Sequence, residues 1–399
     1  MRSPRVGFVG AGQLARMCAG EAVALDVHLR VLASEAGDSA AQVIPDTVVG
    51  SHRDLDALRA FAGGCDVVTF DHELTAPGDL RVLAGEGHVL RPGPHAQGYA
   101  QDKWHQRSRF AAMGLPVPAH GRVASSEEVV RFTEQAGWPV VLKAVRGGYD
   151  GRGVWVVHDA AELEDVWGGA AWSEGGVLAE AFVPIERELA VLVARRPSGQ
   201  ALAYPVIETV QDQGICRELL VPADGPRAAA AQDLGLRIAE VVDAVGIIAV
   251  ELFDTAAGLV VNEVALRPHN SGHWTLEGAQ TSQFANHLRA VLDWPLGSVA
   301  MTAPAAVTVN VLGPQDGSDP RARVRAALGV PGVAVHLYGK TARSGRKLGH
   351  VTATGTDVGQ ARALARRAAA LLTGPTPREH TTEHATEHAT EHATERAKP

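Results

Sequence analysis

The stretch Val250–His273, VELFDTAAGLVVNEVALRPHNSGH, decides the fold and holds the densest chemistry in the chain. Val250 to Phe253 reads as one short strand, Asp254 to Gly258 supplies turn residues, and Leu259 to Val264 reads as the return strand of a hairpin. With the turn centred near Ala257, Glu251 and Glu263 face each other. Cross-strand partners hold their Cβ atoms roughly 4.5–5.5 Å apart, and like charges so placed are destabilising. Two opposed carboxylates in an apolar hairpin ask for a cation. Hard oxygen ligands suit Mg²⁺, which one or two carboxylates hold together with substrate phosphates. Asn262, Arg267, His269, Asn270 and His273 crowd the same place. The alternative is a register slipped by one residue, which turns one glutamate to solvent. The rest of the chain has to choose.

Upstream, Pro139 to Lys143 is an apolar strand with an interior lysine, followed by AVRGGYDGRGV over 144–154. A lysine buried on a strand is costly unless an anion neutralises it. The glycines at 147, 148, 151 and 153 pack no core, but they let backbone N–H groups close over phosphates. A flexible hairpin tip is the plainer reading; the strand lysine favours a phosphate lid that carries Tyr149 and Arg152. Gly176 to Phe182, Arg187 to Ala194 and Tyr204 to Glu208 read as strands. Ala229 to Val245 has the apolar spacing of a helix burying one face, with Gly246 placed to end it.

At the N-terminus, Arg5–Val9, Val27–Ala33 and Asp66–Phe70 alternate with helical stretches, which argues for a parallel doubly wound unit. The turn Gly10-Ala-Gly-Gln-Leu-Ala15, with Glu35 some twenty residues on, fits a dinucleotide fingerprint. A glycine-rich turn also serves any phosphate, or none. Leu90 to His95 is a breaker cluster and a boundary. Gln101 to Met113 reads as an amphipathic helix with Lys103 in its first turn, where a solvated lysine is the commoner outcome. Leu276 to Leu292 reads as another helix, and Ala306–Leu312 and Val333–Tyr338 as strands. The segment 339–350, GKTARSGRKLGH, is a basic loop with Lys340, Arg343, Arg346 and Lys347. It is either a solvated face or a seat for a phosphate monoester.

With 399 residues, 46% of them apolar and 21% charged, the chain has the length of two or three soluble domains. A net charge of −8 gives no footprint for nucleic acid. The three cysteines, Cys18, Cys65 and Cys216, fit a reducing compartment rather than a disulfide framework. No apolar run spans a bilayer and no signal peptide is evident, so the expectation is a cytoplasmic protein without membrane partners. The Glu-His-Ala-Thr repeats over 375–399 have no apolar stripe and are expected to be disordered.

Taken together, GQLARM at 12–17, GGYDGRG at 147–153, HNSGHW at 269–274 and GRKLGH at 345–350 resemble the ATP-grasp superfamily. Within it they are similar to the N5-carboxyaminoimidazole ribonucleotide synthetase family of purine biosynthesis. The resemblance covers roughly residues 5 to 355. It implies an α/β (α+β) architecture of three parts: an N-terminal doubly wound domain (1–100), a central ATP-grasp domain (101–297, with a lid at 117–185) and a small β-rich C-terminal domain (298–374). It also implies ATP, Mg²⁺ (or Mn²⁺ in its place), bicarbonate and 5-aminoimidazole ribonucleotide as ligands, and a homodimer.

On this resemblance Lys103, Lys143 and the lid residues Gly148, Tyr149, Asp150, Gly151, Arg152 and Gly153 would hold phosphates. Glu180, Ala181, Phe182 and Val183 would present backbone groups to adenine, Glu188 would accept from the ribose hydroxyls, and Gln211 would stand in the ATP region. Glu251 and Glu263 would hold the metal with Asn262 beside them. Arg267, Tyr149, Arg152 and His273 would act in catalysis. Glu73, Tyr149, Arg152, Asn270 and His273 would line the acceptor pocket, and Lys340, Arg346 and Lys347 would take the 5′-phosphate. The chain departs from the family pattern at Leu266, Asp71-His-Glu73 and Gln211. A same-fold ligase or formyltransferase using formate or an amino acid, a nicotinamide-dependent oxidoreductase, and a non-catalytic nucleotide-binding subunit are the other readings.

Overall fold

The computed structural model describes residues 2–147, 153–169, 172 and 175–374. The expected lid residues 148–152 and the repeat tail lie outside them.

Three sheets organise the described residues. Strands β1 (Arg5–Val9), β2 (His28–Ala33), β3 (Asp46–Val49) and β4 (Val67–Phe70) form a parallel sheet in the order β3-β2-β1-β4. β1 and β4 are apolar on both faces because helices cover both, as parallel sheets require. A second sheet contains β5 (His120–Val123), β6 (Val140–Ala144), β7 (Val154–Val157) and β8 (Val177–Ala181), antiparallel in the order β5-β8-β6-β7.

The third and largest sheet has nine strands. They are β9 (Arg187–Arg195), β10 (Ala201–Ala203), β11 (Ile207–Asp212), β12 (Ile215–Val221), β13 (Gly246–Thr255), β14 (Gly258–Ala265), β15 (Ala305–Leu312), β16 (Val333–Leu337) and β17 (Lys347–Gly355). Their order is β14-β13-β9-β11-β12-β15-β17-β16, with β10 on β9. The C-terminal strands therefore continue the central sheet through the β12–β15 pairing instead of closing a sheet of their own.

Several expected elements shift. The helix read over 229–245 ends at Val242, where Asp243 adopts a left-handed conformation (φ 50°), and Gly246 instead begins β13. Gly246 is required there for another reason: at φ 113° a Cβ would meet the His287 ring at 2.9 Å. The helix read over 276–292 is broken into Thr275–Gly278 and Gln283–Val291. Ser282 caps the second by accepting from the Ala285 N–H at 3.0 Å. Likewise Asp102 splits the helix read over 101–113, capping Lys103–Ala112 through the His105 N–H. The basic loop is shorter than its sequence suggests, because Lys347 already lies on β17. No helix of the described residues is long and apolar enough to cross a membrane.

Candidate active site

The hairpin β13–β14 turns at Ala256-Ala257, with Thr255 paired to Gly258 and Leu252 to Val261. Continued regularly, that register would set Glu251 against Asn262. A β-bulge intervenes, so Glu251 pairs with Glu263 and Asn262 is the extra residue. Bulges re-aim side chains in this way. A turn centred on Ala257 would oppose the two glutamates directly; the turn lies half a residue earlier, and the bulge restores the opposition.

The electrostatics follow from this placement. Burial, then Glu263 and Glu188, push the Glu251 carboxyl up to about 8, against the pull of Lys347 and Arg267. Glu188 on β9 is raised by burial and by Glu263, while a hydrogen bond from Gln211 opposes the shift. Glu251 and Glu263, opposed on the hairpin and within electrostatic reach of Glu188, leave this region short of positive charge, which suits a hard divalent cation. Among the described residues no group of three or more His, Cys, Asp or Glu side chains could hold a metal by itself, so oxygens from a substrate must complete any such site. His269 stands 3.5 Å from Glu251 through Nε2. Burial and the cations Arg267 and Lys347 hold its imidazole down to about 3, hence neutral.

Two lysines approach from the phosphate side. Lys103, in the first turn of the helix Lys103–Ala112, lies 3.8 Å from Glu263 Oε2. Lys143 on β6 is buried, as its strand predicted, but the anion beside it belongs to the protein. Its Nζ reaches Glu180 Oε2 at 2.8 Å and donates to Asn262 Oδ1 at 3.2 Å. Glu180 is buried and also pairs with Arg107, so its side chain is committed to the interior and only its backbone is left for a nucleotide. Burial would raise that carboxyl, yet Lys143 and Arg107 hold it below its usual range. Ala181, Phe182 and Val183 lead off the end of β8, with Phe182 exposed. Gly153 closes the described edge of the glycine loop, at φ 76°.

On the other flank, Arg267 Nε pairs with Glu73 Oε2 at 2.9 Å, joining the central region to the loop after β4. Glu73 Oε1 is buried and has no hydrogen-bond partner. Leu266, the departure preceding Arg267, packs into the core at 1% exposure and leaves the arginine on the site side. Gln283, missed in the sequence, clamps the next turn: it accepts from the His269 N–H at 2.9 Å and donates to its carbonyl at 2.8 Å. Asn270 opens that 3₁₀ turn and is partly exposed.

His273 is a correction. Its ring is fully buried, stacked on His350 at 4.7 Å and beside Phe284 and Tyr338, so it presents no open surface to an acceptor. Lys340 Nζ donates to Gln13 Oε1 at 2.5 Å, which brings the basic loop onto the N-terminal glycine turn. Lys347 lies close enough to act on Glu251, His269 and His273. Arg346 donates instead to the Thr341 carbonyl at 3.1 Å, at the tip of the loop.

The dinucleotide reading of the glycine turn meets a physical obstacle. Asp71 accepts from the Gly12 N–H at 2.7 Å and from the Ala15 N–H at 2.8 Å, occupying the helix start where a pyrophosphate would sit. A Cβ on Gly12 would lie 2.2 Å from the Asp71 carboxylate, so this glycine admits a side chain of the protein.

A carboxylate pair in a hairpin, cations from a helix and a neighbouring sheet, and a sheet leading through 180–183 into the large one define an ATP-grasp protein. Residues 108–284 match the ATP-grasp domain profile, 3–101 the ribonucleotide synthetase preATP-grasp domain and 306–364 the phosphoribosylaminoimidazole carboxylase C-terminal domain. The chain is 48% identical over 366 residues to the N5-carboxyaminoimidazole ribonucleotide synthase of Mycobacterium bovis, covering 90% of this chain and 85% of that protein. It superposes on the ADP complex of an N5-carboxyaminoimidazole ribonucleotide synthetase with a TM-score of 0.85, at 32% identity and 92% and 97% coverage of the two chains. It also superposes on the Aspergillus clavatus enzyme in complex with ADP and 5-aminoimidazole ribonucleotide, with a TM-score of 0.84, 30% identity and 93% and 99% coverage. The chain belongs to the N5-carboxyaminoimidazole ribonucleotide synthase family.

Proposed function

We propose that the protein carboxylates 5-aminoimidazole ribonucleotide with ATP and bicarbonate, giving N5-carboxyaminoimidazole ribonucleotide, ADP and phosphate. The observation that supports it most is the opposition of Glu251 and Glu263 between the phosphate-side Lys103 and the acceptor-side Arg267. Bicarbonate oxygen would attack the γ-phosphorus and ADP would leave. The amine of the ribonucleotide would then attack the carboxyphosphate carbon and expel phosphate.

In this reading Lys103, Lys143 and the loop 148–153 hold the transferring phosphates, since phosphoryl transfer needs positioning and charge neutralisation more than covalent help. Glu251 and Glu263 would hold Mg²⁺, or Mn²⁺, which when bound neutralises charge on the β- and γ-phosphates. The segment 180–183 offers backbone to adenine, and Glu188 with Gln211 takes the ribose hydroxyls. Arg267, held by Glu73, orients bicarbonate; its bidentate fork suits a planar oxyanion. Glu73 Oε1 and Asn270 would contact the acceptor, a role also proposed for Tyr149 and Arg152, and Lys340 and Lys347 would receive its 5′-phosphate, with Arg346 able to swing from its carbonyl contact. Closure over this space excludes water, which would hydrolyse carboxyphosphate. The functional divisions at 100/101 and 297/298 and a homodimeric state belong to the same proposal.

ADP release tests it. Release should need both 5-aminoimidazole ribonucleotide and bicarbonate; ADP formed without either, or with formate in place of bicarbonate, overturns the reading.

A further inference from the structure

Arg107 is the largest charged side chain in the interior, at 2% exposure, and none of the roles above uses it. It sits one helical turn after Lys103, and residues four apart share a helix face. Both therefore point at the same hairpin. Lys103 approaches Glu263, while Arg107 donates from Nη1 to the Val261 carbonyl and from Nη2 to the Asn262 carbonyl, each at 2.8 Å. These are the two residues at the bulge.

β14 is the edge strand of the nine-stranded sheet, so the outward carbonyls of its bulge have no strand to bond. An unmet buried carbonyl costs about 1–3 kcal/mol, and an edge so left would relax toward the regular register that the turn prescribes. Arg107 removes that drive by taking both carbonyls, and the Val261 N–H is held by the Pro116 carbonyl at 2.8 Å. The guanidinium completes its own shell on Glu180. Glu180 holds Lys143, and Lys143 returns to the bulge through Asn262 Oδ1. The contacts close a ring: Arg107, Glu180, Lys143, Asn262, and back to Arg107 through the Asn262 carbonyl. A planar fork can serve a carboxylate and two carbonyls at once; an ammonium is a point donor.

We propose that Arg107 is a positioning residue that locks the bulge at Asn262 and so keeps Glu263 opposite Glu251, tying the metal-binding register to the Lys143 strand. This rests on the reading of Glu251 and Glu263 given above.

The test is Mn²⁺ binding to the full-length enzyme in saturating ADP, followed by the EPR signal of free Mn²⁺, for wild type, R107M and R107K. ADP affinity without metal and the melting temperature are measured alongside. R107M should weaken Mn²⁺ at least tenfold and R107K about threefold, with metal-free ADP affinity within twofold of wild type. A purely structural tie predicts lower melting temperatures with unchanged Mn²⁺ affinity. The inference is overturned if R107M, or R107K should R107M not fold, binds Mn²⁺ within twofold of wild type. Failure of the wild-type ADP complex to bind Mn²⁺ would instead overturn the metal reading of the hairpin.

Discussion

Glu251 pairs with Glu263 while its neighbour Leu252 pairs with Val261, so one extra residue, Asn262, brings two carboxylates face to face. In the absence of a cation that arrangement opposes folding, because burial and the facing Glu263 raise Glu251 to about 8, so near neutral pH the folded chain must take up a proton that the unfolded chain does not hold. Glu251→Gln should therefore raise the melting temperature of the metal-free protein by about 1–3 °C and abolish the further rise that Mg²⁺ with ADP gives the wild type. Glu263→Gln should leave the fold intact and reduce turnover by at least about a hundredfold, the scale of losing a preorganised charge at phosphoryl transfer. Thermal melts with and without MgADP, with ADP release, check both. A metal-free melting point unchanged or lowered in Glu251→Gln counts against repulsion at the hairpin.

A second prediction concerns acid. His287 is fully buried beneath Gly246, its Nε2 2.9 Å from Thr69 Oγ1 and its Nδ1 accepting the Ile247 N–H at 3.2 Å. An imidazole accepting at Nδ1 must carry its proton on Nε2, so neither nitrogen can take another without breaking a bond. Burial accordingly holds it down to about 3 from an ordinary 6.5. A base depressed in the folded state leaves stability unaffected above pH 6.5, where neither state binds the proton. Between 6.5 and 3 the unfolded chain binds it and the folded one does not, so stability falls with pH by up to about 1.4 kcal/mol per unit for this group. The excess of the wild-type urea midpoint over that of His287→Gln should be level from pH 7 to 8 and shrink below about pH 6. His287→Gln should be less stable at pH 8 yet fall less steeply on acidification. Equal slopes for the two proteins would remove His287 from the acid response.

The parts legible in the sequence were those set by local pattern. Apolar runs marked β1, β4 and β9, the turn residues marked the β13–β14 hairpin, and an interior lysine on β6 marked a site that needs an anion. What escaped was decided by contacts distant in the chain. Asp71 and Gly12 are 59 residues apart, and only the fold shows that the glycine turn admits a carboxylate. Glu180 read as a backbone contributor because nothing local announces Arg107, 73 residues away, as its partner. The breaks at Asp102 and Ser282 were local and readable, since both are ordinary caps; apolar periodicity continuing across them hid the interruption.

His273 lies at the centre of the last prediction, because its place in the HNSGHW string suggests chemistry and its surroundings do not. The ring is fully buried between His350 and Phe284, with Nε2 unpartnered and Nδ1 3.4 Å from Gln283 Nε2. Burial holds its pKa well below 6.5, with His269, His336, Lys347 and Lys340 adding to the same direction. A neutral imidazole with no route to solvent cannot relay a proton to an amine in the pocket; it can only hold up the turn from Arg267 to Asn270. His273→Phe keeps a flat ring in the stack and discards the orphaned nitrogen, at a packing cost of about 1–3 kcal/mol for the larger ring. The folded variant should therefore retain kcat within about fivefold of wild type, with an unchanged pH profile between 6 and 8. A loss of about a hundredfold or more, or the disappearance of a limb from that profile, would return His273 to the catalytic groups. Rate measurements across pH on the two proteins, with circular dichroism to confirm the fold, decide between a support and a catalyst.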